Sequence, residues 1–232
     1  MDSSDPDRRH DLALRMAELA RAMTAPRTLE QILADVTAAA VQLVPGADAA
    51  GVLLVKRGGE FESLAETDGL VGQLDKLQHD FSEGPCAEAA LEETIVRSDD
   101  LRRESRWPRY APAAVELGVL SGLSFKLYTA DRTAGALSLF GFQPDAWDTD
   151  AETTGAVFAA HAAAAILAHR QGEQLQTALS TRDRIGQAKG VIMARYGVDA
   201  VRAFDMLRAI SEESQTKLAD VAQKVIDNRD KI

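Results

Sequence analysis

No proline falls between residues 149 and 196, and the glycines of that interval, Gly155, Gly172, Gly186 and Gly190, stand singly. A lone glycine weakens a helix without ending it, whereas proline breaks one. The interval therefore predicts one continuous helix, about 70 Å long at ~1.5 Å per residue, which a single small domain cannot bury. A helix of this length either joins two bodies or pairs with a copy of itself. Its Ala-rich first half (Ala159, Ala160 and residues 162–165) permits close approach of a second helix, and Leu175, Leu179, Ile185 and Ile192 continue an apolar track. Arg182 and Lys189 fall where a coiled-coil seam would be apolar, so packing against the chain's own neighbouring helices is the alternative to a parallel homodimer.

The charge divides along the same line. Residues 181–232 hold ten Lys and Arg against eight Asp and Glu, and the rest of the chain holds sixteen against twenty-eight, within an overall net charge of −10. A basic end on an acidic body predicts one region that meets a polyanion and another with a different task. The 232 residues suffice for one ordinary domain and a smaller appendage. The polar N-terminus lacks the apolar stretch of a signal peptide, and no uncharged apolar run of membrane length is evident, so a cytoplasmic protein without a membrane span is expected. One cysteine, Cys86, and four scattered histidines offer neither a disulfide nor metal-ligand spacing.

Upstream of the long helix, residues 1–11 are polar and expected to be disordered. Apolar positions recur at helical spacing over 12–23 and 28–43, with Thr28 as N-cap and Pro45-Gly46 as the stop. Residues 49–55 read as a strand, with a turn at Lys56-Arg57-Gly58-Gly59 and a second strand over 60–66. A short helix around Leu70, Leu74 and Leu77, a helix opened by Pro85, a strand at 94–97 and a helix after Pro108 follow. Strands at 123–128 and 134–140 then flank an Asp131-Arg132 turn. Five strands with interspersed helices give an α+β plan, helices covering an antiparallel sheet.

In the basic region, at ~100° per residue, Ile185, Ala188, Ile192 and Tyr196 share one strip of the long helix. Arg182 and Lys189 lie along one border of that strip, Arg184 and Arg195 along the other. Such rows suit a nucleic-acid backbone, since phosphate neutralisation supplies most non-specific affinity, and the ring of Tyr196 offers a surface for an unstacked base. Gly197 ends this helix and Asp199 caps the next, which is expected to bury Ala203, Phe204, Leu207 and Ile210. Ser211 or Ser214 is expected to cap a third helix burying Leu218, Val221, Ala222 and Val225. Arg208 and Lys217 flank the intervening turn. The alternative for each cation is an ordinary solvated position, with Asp220 and Asp227 within pairing distance of Lys217 and Lys224.

Ala188-Lys189-Gly190, Met193, Tyr196-Gly197, Ala203, Leu207-Arg208, Ser211, Lys217-Leu218 and Val221-Ala222, in order and without gaps, resemble the ANTAR domain, differing at Glu212, where Gln is common, and at Gln215, where Asn is usual. The resemblance implies a three-helix module that binds paired hairpins in nascent RNA and prevents transcription termination. It makes Arg182, Arg184, Lys189, Arg195, Tyr196, Arg208, Ser211, Gln215 and Lys217 the candidate RNA-binding residues. The segments 83–89, 98–101 with Trp107-Pro108, and 135–140 resemble GAF domains that precede such modules. That resemblance implies a small-molecule sensor with a pocket roofed by loops and short helices, for which Phe61, Phe81, Cys86, Trp107, Tyr110 and Phe125 are the candidate lining; no cofactor is identifiable. The expected organisation is a disordered 1–11, a GAF-like domain over 12–170 and an ANTAR-like domain over 171–232, with the helix 150–196 shared.

Cys86 has two readings: a thiol acidified at a helix N-terminus, or a buried inert core residue. No catalytic triad, phosphate loop or interpretable acid pair stands out, so an enzyme is not expected. The leading reading is a signal-responsive RNA-binding antiterminator. The alternatives are a helix-turn-helix regulator of duplex DNA, which lacks a helix rich in base-reading side chains, and a redox enzyme of the GAF type, which a single cysteine disfavours.

Overall fold

A computed structural model of the chain describes residues 5–22, 27–55, 61–91, 94–129 and 132–229, which divide into two units, Met1–His169 and Arg170–Ile232. The first unit opens with α1 (Asp5–Ala22) and α2 (Leu29–Leu43). Residues 5–11 are thus helical rather than disordered, with Pro6 tolerated in the first turn; residues 1–4 lie outside the described residues. Thr28 caps α2 as expected: its Oγ1 accepts from the Gln31 amide at 3.2 Å while the Gln31 side chain accepts from the Thr28 amide at 3.1 Å.

The sheet comprises β1 (Ala49–Val55), β2 (Phe61–Leu64), β3 (Ile95–Ser98), β4 (Ser121–Thr129) and β5 (Arg132–Gly141). All pairings are antiparallel, in the order β2-β1-β5-β4-β3. The expected turn at residues 56–59 falls outside the described residues, as does Asp131 of the second expected turn, whereas Arg132, read as part of that turn, opens β5 and pairs with Thr129. Between the strands lie α3 (Gly69–Phe81), α4 (Pro85–Leu91), a 3-10 turn (Leu101–Arg103) and α5 (Tyr110–Glu116). Pro112 is the third residue of α5, where no intrahelical amide is required of it.

Strand parity sorts the core into two layers. Val52, Leu54, Leu123, Phe125, Leu127, Leu137 and Leu139 face α2 and the long helix α6 (Thr149–Tyr196), whereas Ala49, Leu53, Ala136 and Phe140 face α3, α4 and α5. On the first face Gly155 lets α6 come down onto the sheet: a Cβ there would lie 2.5 Å from the Phe125 ring. By length and composition α6 also holds an 18-residue stretch apolar enough to cross a membrane, contrary to the reading of the sequence. The same stretch buries Phe158, Ala162 and Ile166 in this core, which gives its apolar character a packing role.

In the second unit the end of α6 packs with α7 (Ala200–Glu213) and α8 (Leu218–Asp227) around Ala188, Ile192, Ala203, Leu207, Val221 and Ala222. Gly197 adopts φ +66° and its amide closes on the Met193 carbonyl at 3.0 Å, while Asp199 accepts from the Arg202 amide at 2.8 Å. Two expectations fail here. Phe204 and Ile210 are 36% and 45% exposed rather than buried, because Phe204 sits at the edge of the Ala203–Leu207 stripe and Ile210 in the last turn. Neither serine caps α8: Ser214 Oγ donates back to the Ile210 carbonyl and Ser211 Oγ to the Thr216 carbonyl, both at 2.6 Å, and Lys217 occupies the N-cap without a side-chain bond.

Candidate functional sites

Ala188 and Ile192 bury the middle of the strip read on α6, and Ile185 is half-buried beside them, so the helix turns its borders outward. On one border Arg182 and Lys189, seven residues apart, line a cleft of about 740 Å³ together with Thr181, Asp183, Gln187 and Phe204 of α7. Among the described residues neither Arg182 nor Lys189 nor Asp183 has a hydrogen-bond or ion-pair partner, so their charges are available to a ligand. The other cations are less free. Arg184 is half-buried and donates to Ser180 Oγ at 3.3 Å, and Arg208 pairs with Glu212 at 3.4 Å one turn on. The guanidinium of Arg195 lies 5.7 Å from the ring centroid of Tyr196, which is 55% exposed and hence not the core residue its place on the strip suggests.

The turn between α7 and α8 gathers Ser211, Gln215 and Lys217. Ser211 spends its hydroxyl on the turn itself, and Gln215 holds φ +51° with Nε2 on the Glu212 carbonyl at 2.9 Å. A left-handed residue is better served by Asn than by Gln, so the departure of this chain at 215 has a backbone meaning. Lys217 is exposed and, among the described residues, makes no ion pair with Asp220. Arg182 and Lys189 are thus brought to one cleft, Arg195 and Tyr196 to another spot, and Arg208, Ser211, Gln215 and Lys217 to the α7–α8 turn.

In the first unit a polar cluster is buried between the sheet and α3 and α4. Asp75 and Gln78 of α3 stand inward beside Val71 and Leu74. Gln78 accepts from the Cys86 amide at 2.8 Å and donates to Cys86 Sγ at 2.9 Å and to Asp75 at 3.3 Å. Ser63 donates to Asp75 at 2.6 Å, Ser138 to Cys86 Sγ at 2.7 Å, and Ser124 to Ser138 at 2.8 Å. Burial raises the Asp75 carboxyl to about 6, partly offset by the Ser63 hydroxyl. Burial and the neighbouring Asp75 push the Cys86 thiol up to about 12, so it stays protonated at neutral pH despite its place at the start of α4. The inert reading of Cys86 is the one the geometry supports.

Tyr110 is wholly buried with its hydroxyl unpartnered among the described residues, and burial, then Cys86 and Asp75, raise it well above the usual phenol range. Trp107 meets Tyr110 edge-on at 6.1 Å and donates to Glu88 at 2.8 Å. Glu83 accepts from the amides of Arg109 and Tyr110 at 2.8 and 3.2 Å and so caps α5. Phe61 and Phe81 pack against the same layer. Of the residues read as pocket lining, Phe61, Phe81, Cys86, Trp107 and Tyr110 are therefore together. Phe125 is not: strand parity turns it to the opposite face, under α6. Asp75, Gln78, Ser124 and Ser138 were missed, and a signal existed, since Val71, Leu74, Asp75 and Gln78 follow one helix face with two polar residues in core positions.

Comparison with known proteins agrees with this division. The model of the GAF domain matches residues 26–167 and that of the ANTAR domain residues 173–226. No curated protein matches the chain. Among solved structures, the GAF domain of a phosphoenolpyruvate-protein phosphotransferase from Coxiella burnetii is similar with a TM-score of 0.57 and 21% identity, over 70% of this chain and 96% of that one. The chromophore-binding domain of a bacteriophytochrome from R. palustris is similar with a TM-score of 0.57 and 12% identity, over 75% of this chain and 64% of that one. At such identities these likenesses establish the fold alone.

Proposed function

From the premise that this chain belongs to the GAF family and carries a C-terminal ANTAR domain, the architecture of an RNA-binding antitermination regulator with a sensing domain, we propose that it binds hairpins in nascent RNA and thereby prevents termination when a signal reaches the GAF domain. The observation that carries the proposal is the pair of un-neutralised cations, Arg182 and Lys189, edging one cleft of the ANTAR unit. Two hairpins held by the protein exclude the competing terminator stem. The regulator is cytoplasmic, needs no catalytic group, and takes a small-molecule signal in its GAF unit.

A homodimer completes the proposal. Residues 171–180 of α6 are exposed on every side, with Leu175 and Leu179 one turn apart at 63% and 52% exposure, as in a helix awaiting a partner. A dimer sets two RNA modules against paired hairpins, and because α6 runs unbroken from Thr149 to Tyr196, a change in the sensor travels through it. The experiment is a filter-binding comparison of hairpin RNA with duplex DNA of the same sequence. Tighter binding of RNA is expected; equal or tighter binding of duplex DNA would move the chain to the helix-turn-helix class.

A further inference from the structure

The ring of Phe204 is misplaced for a core residue and well placed for another task. It lies on α7, 36% exposed, beside the packed Ala203 and Leu207, and it lines the cleft of about 740 Å³ whose rim on α6 carries Arg182 and Lys189. That volume is within the range of sites that enclose a small ligand. Thr181, Asp183 and Gln187 contribute polar groups to the lining of the same cleft, and Ile185 and Ala178 apolar ones. Asp183 is informative because it is anionic and without a partner among the described residues. A phosphate cannot sit against it, whereas the N–H groups on a base edge can. The two cations, seven residues and hence two turns apart, are left to hold the phosphates on either side.

Resting on the RNA-binding reading above, we propose that this cleft receives one unpaired base of an RNA hairpin loop. Phe204 is the stacking platform, Asp183 the acceptor for an amino or imino group of that base, and Arg182 and Lys189 the clamps on its flanking phosphates. Tyr196, the aromatic residue that the sequence singles out, is not the platform: its ring lies at the end of α6 against Arg195 and does not line the cleft. Stacking of an unpaired base on an aromatic side chain is tolerant of sequence but demands a ring, so an apolar side chain of similar bulk cannot replace it.

The test uses the full chain and hairpin RNAs that it selects from a pool with randomised loops, each then carrying a fluorescent adenine analogue at successive loop positions. One loop position is expected to lose fluorescence on binding. Phe204→Leu is expected to abolish that quenching and weaken binding by roughly 5- to 150-fold with an unchanged salt slope, while the conservative Phe204→Tyr, which keeps a ring, restores both. Arg182→Ala and Lys189→Ala are expected to make the slope shallower by about one phosphate contact each. Near-natural affinity of Phe204→Leu, with helix content intact, overturns the pocket while leaving the RNA-binding reading in place. Failure of the natural chain to select any hairpin overturns both.

Discussion

Within the GAF unit Asp75, Gln78 and Cys86 lie in a packed interior, each engaged in hydrogen bonds, whereas in the ANTAR unit Arg182, Asp183 and Lys189 stand around an open cleft with no partner among the described residues. The contrast separates two kinds of task. A buried network responds when one partner changes, because any group left unsatisfied costs about 1–3 kcal/mol. An open cleft keeps its charge for a ligand whose phosphates are already hydrated and screened, and gains by releasing counterions. The first arrangement suits sensing and the second suits holding RNA.

The largest effect that would break this comparison is in the sheet core. Phe158 of α6 is wholly buried against β4 and β5, so Phe158→Ala should destabilise the GAF unit by about 3–5 kcal/mol. Thermal unfolding followed by RNA titration is expected to show an earlier GAF transition with the salt slope of binding unchanged. A lost slope would mean that the two units do not hold their sites separately.

The next effect is about 3 kcal/mol and depends on pH. Asp75 titrates near 6 in the folded unit against an ordinary value of 3.8, so the folded state retains a proton that the unfolded chain has lost. Stability from this group is complete below about 3.8 and falls as pH rises through about 6. Ser63, Gln78, Cys86, Tyr110 and Glu66 are the groups that face or sense this carboxyl. Denaturant titrations between pH 4 and 8 are expected to show the decline, and Asp75→Asn is expected to flatten it. An equal slope in the variant would assign the pH dependence elsewhere.

A smaller effect ranks the cations. Arg182→Ala and Lys189→Ala should each weaken hairpin binding on the order of tenfold, the size of one charge-assisted contact. Arg208→Ala should cost less, since Arg208 already pairs with Glu212 at 3.4 Å on the exposed face of α7. The reverse ranking would move the RNA site from the cleft to the α7–α8 turn. The smallest effect is local: Thr28→Ala should cost about 1 kcal/mol through loss of the capping box at α2, read by denaturant unfolding, with RNA binding unaffected.

The sequence carried the order of elements because local signals coincide with it: Thr28, Pro85, Gly197 and Asp199 mark helix ends, and β-branched runs mark strands. It did not carry which face of the sheet Phe125 occupies, although parity with Leu123 and Leu127 was visible, because parity assigns a face only once the covering helices are known. Ser214 resembled an N-cap, yet its hydroxyl satisfies the carbonyl four residues back, a choice that depends on where α7 ends. The cleft was half legible: helical spacing put Arg182 and Lys189 on one border, but Phe204 comes from a different helix, and only the packing of Ala203 and Leu207 turns it there.

On the proposed function, the chain prevents termination by holding RNA through the Arg182–Lys189 cleft. Single-round transcription through a terminator whose stem overlaps hairpins selected by the chain tests it most directly. The natural chain is expected to raise readthrough in proportion to hairpin occupancy, and a chain with both Arg182→Ala and Lys189→Ala, folded to the same helix content, is not. Undiminished readthrough by the doubly substituted chain, or hairpin binding by the natural chain with no gain in readthrough, would contradict it.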